Sequence, residues 1–161
     1  MQSFFMNMAN AGFARELVVF LSSMFPIWEL KGAIILGQAW GLHPWLTYLL
    51  ALAGSSLAAL LLLFFLRPLM RWMYQTKMLR KVAAWMQRRG EKKSGKVTKY
   101  AEVLGLFLFV AIPLPTTGVW TGSLIASVLN IPLKKSVPVV LVGTVVAGLA
   151  IMLLYGVVTL F

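Results

Sequence analysis

The sequence predicts an all-α integral membrane protein made of two inverted repeats, each a re-entrant helical hairpin plus one transmembrane helix. Three observations lead there. The 161 residues are 60% hydrophobic and only 12% charged, with a mean hydropathy of +0.86; soluble domains average about 45–50% apolar and about 25% charged. Two long stretches carry no charge at all. Two others are apolar but interrupted at their centres, and interrupted and uninterrupted stretches alternate twice along the chain.

Residues 45–66 and 136–161 are the uncharged stretches, and each is long enough to cross a ~30 Å hydrocarbon layer as a helix. Residues 17–40 carry Pro26, Glu29 and Lys31 at their middle, and residues 103–129 carry Pro113, Leu114 and Pro115 followed by Thr116, Thr117 and Gly118. Each interrupted stretch fits either a kinked spanning helix or a hairpin that turns at mid-membrane and leaves where it entered. An arm such as 17–25 reaches only the bilayer middle, at ~1.5 Å per residue. The start, 1–14, lacks the charged flank and cleavage site of a signal peptide, so it is expected to be retained.

Charge placement favours the hairpins. Of the 15 Lys and Arg, eleven lie in one connector: Arg67, Arg71, Lys77, Arg80, Lys81, Arg88, Arg89, Lys92, Lys93, Lys96 and Lys99, opposed only by Glu91. The positive-inside rule puts this segment in the cytoplasm. Two hairpins return Lys134 and Lys135 to that side, whereas four full spans would place them opposite. The expected organisation is therefore repeat 1 at 15–66, a basic connector at 67–99 and repeat 2 at 100–161, all in one domain of a multi-pass cell-membrane protein. The connector also has helical periodicity over 68–89, with Leu69, Trp72, Met73, Leu79, Val82, Ala83 and Met86 on one half of the wheel. That pattern suits a basic amphipathic helix on anionic inner-leaflet lipid. Because the charge has this topological cause, nucleic acid is not an expected partner.

The repeat shows in the order of features. Glu16 pairs with Glu102 and Gly32 with Gly118, Pro26 with Pro113, and Gly54-Ser55-Ser56-Leu57-Ala58 with Gly143-Thr144-Val145-Val146-Ala147. One span per repeat turns the second half upside down, a pattern found in many secondary transporters. The segments Pro26-Ile27-Trp28-Glu29-Leu30-Lys31-Gly32 and Ile112-Pro113-Leu114-Pro115-Thr116-Thr117-Gly118-Val119-Trp120-Thr121-Gly122 resemble the small multi-drug export family, which is thought to be related to the DedA-like (SNARE-associated, VTT) membrane proteins. The resemblance covers both halves and leaves out the connector. It implies paired re-entrant hairpins and transport, with the DedA-like relatives linked to moving lipid phosphates across the bilayer.

Glu29 and Lys31 are the sharpest functional signal, because an ionisable residue within a membrane costs at least ~2.5–3.5 kcal/mol and needs a partner, water or a task. Two positions apart on a regular helix they face different ways. They read either as a substrate and proton site or as a structural pair tying one hairpin tip to the other repeat. Pro113 and Pro115 impose an extended break, after which Thr116, Thr117 and Gly118 begin an arm with N–H groups disposed toward an anion; the plain alternative is a helix start capped by Thr116. Trp120 and Thr121 follow closely enough to line a site, or simply pack. Gly32 joins this set, and with Gly37, Gly118 and Gly122 suits close helix approach. Glu16 and Glu102 open the first arm of each hairpin, as helix-dipole partners or as proton-access groups for Glu29. His43 reads as a loop residue, and Trp40, Trp45, Trp72 and Trp85 as interfacial anchors.

The chain has no cysteine, one histidine and four acids, and no phosphate loop, metal cluster or nucleophile set. An enzyme is not expected, nor is a cofactor. The leading expectation is a secondary transporter, proton-coupled through Glu29, for an amphipathic substrate with an anionic headgroup such as a polyprenyl or lipid phosphate. The alternatives are an exporter of hydrophobic drug-like cations and a non-transporting membrane scaffold. Two spans and two hairpins make a thin bundle, so a homodimer or larger assembly is expected to bury the tips.

Overall fold

The computed structural model describes residues 15–75, 99–114 and 117–160. All their regular structure is helical: α1 (Arg15–Ser23), α2 (Glu29–Ala39), α3 (Pro44–Gln75), α4 (Lys99–Ala111), α5 (Val119–Val128) and α6 (Leu133–Leu160). Pro115 and Thr116, most of the basic connector with Trp85, and the N-terminal stretch lie outside the described residues.

Among the described residues, only α3 and α6 have apolar lengths that reach across a bilayer, 26 residues over Pro44–Leu69 and 23 over Leu133–Tyr155. At ~1.5 Å per residue these are about 39 and 34 Å long. α3 runs on past the expected end of repeat 1 at residue 66, through Pro68, to Gln75. The arms are short by comparison: α1 has 9 residues, α2 has 11, α4 has 13 and α5 has 10, and the longest reaches only about 20 Å.

The ends of the arms follow from local chemistry. α1 closes through tightened turns, Met24 N–H to the Leu21 carbonyl and Phe25 N–H to the Ser22 carbonyl, both at 3.1 Å, before Pro26 stops it. α2 ends on Gly41, whose φ of +74° admits a left-handed turn. The Leu42 N–H bonds back to Gly37 O at 3.0 Å and the Gly41 N–H to Gln38 O at 2.9 Å, which is the Schellman pattern. α5 ends the same way: Asn130 has φ +53°, Ile131 N–H bonds to Ala126 O at 3.0 Å and Asn130 N–H to Ser127 O at 3.3 Å. Asparagine is the usual substitute for glycine in this conformation.

α1 and α2 lie against α3, α4 lies against α6, and each spanning helix also receives the second arm of the other half: α5 on α3, and α2 on α6. α3 and α6 touch directly, with the Tyr48 hydroxyl donating to the Val145 carbonyl at 3.2 Å. Two apolar cores result, one around Val19, Ile34, Tyr48 and Ile151, the other around Leu63, Leu106, Val110 and Val140. Close approach is enforced twice in matching fashion. A Cβ on Gly54 would strike the Phe20 carbonyl and the Ser23 side chain, and a Cβ on Gly143 would crowd Val110 and the Phe107 carbonyl.

The open end of the first hairpin is tied by Arg15, whose guanidinium donates to the Trp40 carbonyl at 3.0 Å. The start of α4 and the end of α5 likewise meet, around one cavity, and there Arg67 from α3 donates to the Ile131 carbonyl. Polarity is inverted relative to a soluble domain: Ser22, Ser23, Thr47, Ser55, Ser123, Ser136 and Thr144 are buried, while Leu49, Phe64, Phe65, Val142, Leu153 and Leu154 are exposed. That distribution, with two long apolar helices, is that of a membrane protein.

Candidate functional site

The turn between α1 and α2 meets the turn between α4 and α5. Tip 1, between α1 and α2, brings Glu29 and Lys31; tip 2, between α4 and α5, brings Leu114, Thr117, Gly118 and the first N–H groups of α5. Glu29 is buried and opens α2 with φ +47°, a conformation non-glycine residues rarely adopt. Its own N–H still bonds to the Phe25 carbonyl at 2.8 Å.

Its carboxylate crosses to the other half. Oε1 accepts from the Val119 N–H at 2.5 Å and lies 3.4 Å from the Trp120 nitrogen. The N-terminus of α5 has no side-chain cap of its own, so Glu29 supplies the negative charge that the helix dipole and its orphan N–H groups attract. Gly118 makes room: its φ is +155° and a Cβ there would land on both carboxylate oxygens.

Lys31 crosses at the same place but to the opposite kind of partner, donating to the carbonyls of Leu114 and Thr117. The acid therefore takes the donors of tip 2 and the base takes its acceptors. Three further hydrogen bonds fix tip 2. The Thr117 hydroxyl donates to the Ile112 carbonyl at 2.7 Å and accepts from the Leu114 N–H at 3.1 Å. The indole N–H of Trp120 donates to the Met24 carbonyl of tip 1 at 3.1 Å. Tip 1 is held in turn by α3, where the Ser55 hydroxyl donates to the Ser23 carbonyl at 3.0 Å. Glu29, Lys31, Gly118, Val119 and Thr144 line a small pocket with room for about one water molecule.

Of the residues singled out from the sequence, Glu29, Lys31, Thr117, Gly118 and Trp120 come together here. Pro113 lies in the break of tip 2, half-buried, at the centre of a tight turn in which the Leu114 N–H bonds to the Ile112 carbonyl at 2.8 Å. Gly32 sits beneath the Trp28 ring of its own helix turn, and Thr121 is half-buried on α5. Glu16 and Glu102 start α1 and α4, at the open ends of the hairpins. The second arm begins at Val119 and not at Thr116, because the backbone at Gly118 is incompatible with a helix. The N–H of Thr117 is bonded to the Leu114 carbonyl at 3.2 Å, so the donors at this helix start belong to Val119 and Trp120. Sequence reasoning missed those two N–H groups and the carbonyls of Leu114, Thr117 and Met24, since backbone groups leave no residue-type signal.

These features define a helical membrane protein whose halves are joined at their centre by a buried acid and a base. The family profile for "Putative small multi-drug export protein" matches residues 29–150, from the start of α2 through tip 2 and most of α6. The chain belongs to that family. No curated protein and no solved structure matches it.

Proposed function

We propose that the protein is a secondary export carrier, not an enzyme, for small amphipathic cations, with Glu29 as the group for which proton and substrate compete. The observation that carries this reading is the lodging of the Glu29 carboxylate on the N-terminus of α5. A carboxylate that forms the contact between the halves cannot hold those N–H groups and a cation equally well. A proton or a cationic substrate on Glu29 weakens its hold on α5 and lets the tips part. Because one carboxylate serves both, binding is mutually exclusive, and exclusivity at a single site is what exchange requires. The family's name supports export of drug-like molecules.

The architecture in this proposal is a pair of re-entrant hairpins in inverted repeats. The arms are short, the first pair is tied at its open end by Arg15 and Trp40, and both second arms end in the same turn, at Gly41 and Asn130. The connector lies in the cytoplasm against anionic lipid, and a second copy of the chain completes the burial of the tips.

A second reading keeps the relation to DedA-like transporters and an anionic headgroup as substrate. It draws on the same contact: the start of α5 holds an anion, and a phosphate-bearing headgroup would replace Glu29 there. The deciding experiment is transport in proteoliposomes under an imposed pH gradient, with a hydrophobic cation and a polyprenyl phosphate as substrates. Glu29→Gln should abolish pH-driven cation export while expression and assembly persist. Retained cation export, or transport of the phosphate alone, would reject the exchange reading.

A further inference from the structure

A second cavity, of about 320 Å³, opens at the end of the bundle where the basic segment leaves α3 and returns to α4, far along the hairpin from the tips. Its lining brings together Glu102 and Val103 from the start of α4, Asn130, Ile131 and Pro132 from the turn after α5, and Lys135 from α6. Glu102 and Lys135 have opposite charges and face one space, yet no ion pair joins them. Lys135 is exposed and stands 6.0 Å from the centre of the Tyr100 ring. The cavity wall is built, not incidental. Asn130 is held in a left-handed turn, and Arg67 fixes the Ile131 carbonyl from the far side.

From this cavity an apolar stripe runs down α4. Tyr100, Leu104, Leu108 and then Ile112 are exposed at intervals of one helical turn, at 85%, 57%, 46% and 47%. An occupant of the cavity thus has a polar end between an acid and a base and an apolar continuation along the membrane-facing side of α4.

We propose that this cavity binds the phosphoethanolamine headgroup of a membrane lipid, its phosphate toward Lys135, its primary ammonium toward Glu102, and an acyl chain along Leu104 and Leu108. A ligand bridging two opposite, mutually unpaired charges has to be a zwitterion with the complementary order. A primary ammonium donates hydrogen bonds to a carboxylate, which a quaternary choline does not. A purely anionic headgroup meets Lys135 but leaves Glu102 facing like charge.

Native mass spectrometry of the full chain in micelles tests this, with phosphatidylethanolamine, phosphatidylcholine and phosphatidylglycerol of equal chain length. Phosphatidylethanolamine should be retained about tenfold or more over the other two, the scale of one charge-assisted hydrogen bond. Glu102→Gln should erase that preference without lowering phosphatidylglycerol retention. Lys135→Gln should lower retention of both, and Lys135→Arg should restore it, which separates loss of the site from loss of the fold. Equal retention of the three lipids, or a preference that survives Glu102→Gln, overturns the proposal. Displacement of the lipid by an equal concentration of glycerophosphoethanolamine would show a soluble ligand and overturn the assignment to lipid.

Discussion

Gly118→Ala tests the central contact most directly. The new methyl group would occupy the position of both Glu29 carboxylate oxygens, and the backbone at Gly118 lies in a region reserved to glycine. The backbone strain amounts to about 1–3 kcal/mol. Expulsion of the carboxylate forfeits its hydrogen bond to the Val119 N–H, about 1.5–3 kcal/mol for a bond to a charged group. The substitution should therefore destabilise the protein by roughly 3–6 kcal/mol. In a Glu29→Ala background the carboxylate is already gone, and Gly118→Ala should cost only the backbone share, leaving a coupling of about 1.5–3 kcal/mol between the two positions. Reversible unfolding in mixed micelles, followed by tryptophan fluorescence, measures all four corners of the cycle. Costs that add to within about 0.5 kcal/mol would refute the reasoning, because two residues in direct contact through a charged hydrogen bond cannot behave as independent sites.

Three further outcomes are expected. Lys31→Met removes the donor shared by the Leu114 and Thr117 carbonyls and should lower stability by about 1–3 kcal/mol in the same unfolding assay, whereas a loss under half a kcal/mol would show those carbonyls to be hydrated. Gly54→Ala forces a methyl group onto the Phe20 carbonyl and should destabilise by about 1–3 kcal/mol, while Gly105→Ala, with nothing near its Cβ and a helical backbone, should be neutral or stabilise by up to about 1 kcal/mol. The absence of cysteine permits single-cysteine labelling: positions Ser94 and Lys134 should react from the cytoplasmic side and His43 from the opposite one. Labelling of Ser94 and Lys134 from opposite sides would establish that the interrupted stretch 103–129 spans.

The parts of this molecule that depend on residue type were readable from the chain. The uncharged runs announced α6 to within a few residues and the start of α3, whose end at Gln75 lies beyond the expected residue 66, and Pro26 and the Pro113–Pro115 pair announced the breaks between arms. The importance of Glu29 and Lys31 followed from the cost of charge away from water. What those charges touch did not follow, because their partners are backbone N–H and carbonyl groups of the other half, about 85–90 positions away, and every residue has such groups. The late start of α5 was hidden for a related reason: Thr116 looks like a cap, but the conformation of Gly118 decides where the helix can begin. The cavity around Glu102 and Lys135 depends on the turn at Asn130, which brings together three segments that the sequence shows only in isolation.

The crosswise placement of the second arms, α5 on α3 and α2 on α6, has a consequence for biosynthesis. When the N-terminal half leaves the ribosome, Glu29 and Lys31 reach the bilayer before residues 112–120 have been translated. Until then each carries a penalty of at least ~2.5–3.5 kcal/mol, and the binding surfaces of α2 and α3 for the second half stand open to lipid. The N-terminal half thus waits with its charges unsatisfied until tip 2 arrives. A nascent chain arrested before Leu114 should leave tip 1 accessible to water, and the insertion machinery has to hold it through that interval. Translation order makes the later half the one that completes the earlier, so the halves expressed as separate chains should stabilise one another only when both are present in the membrane.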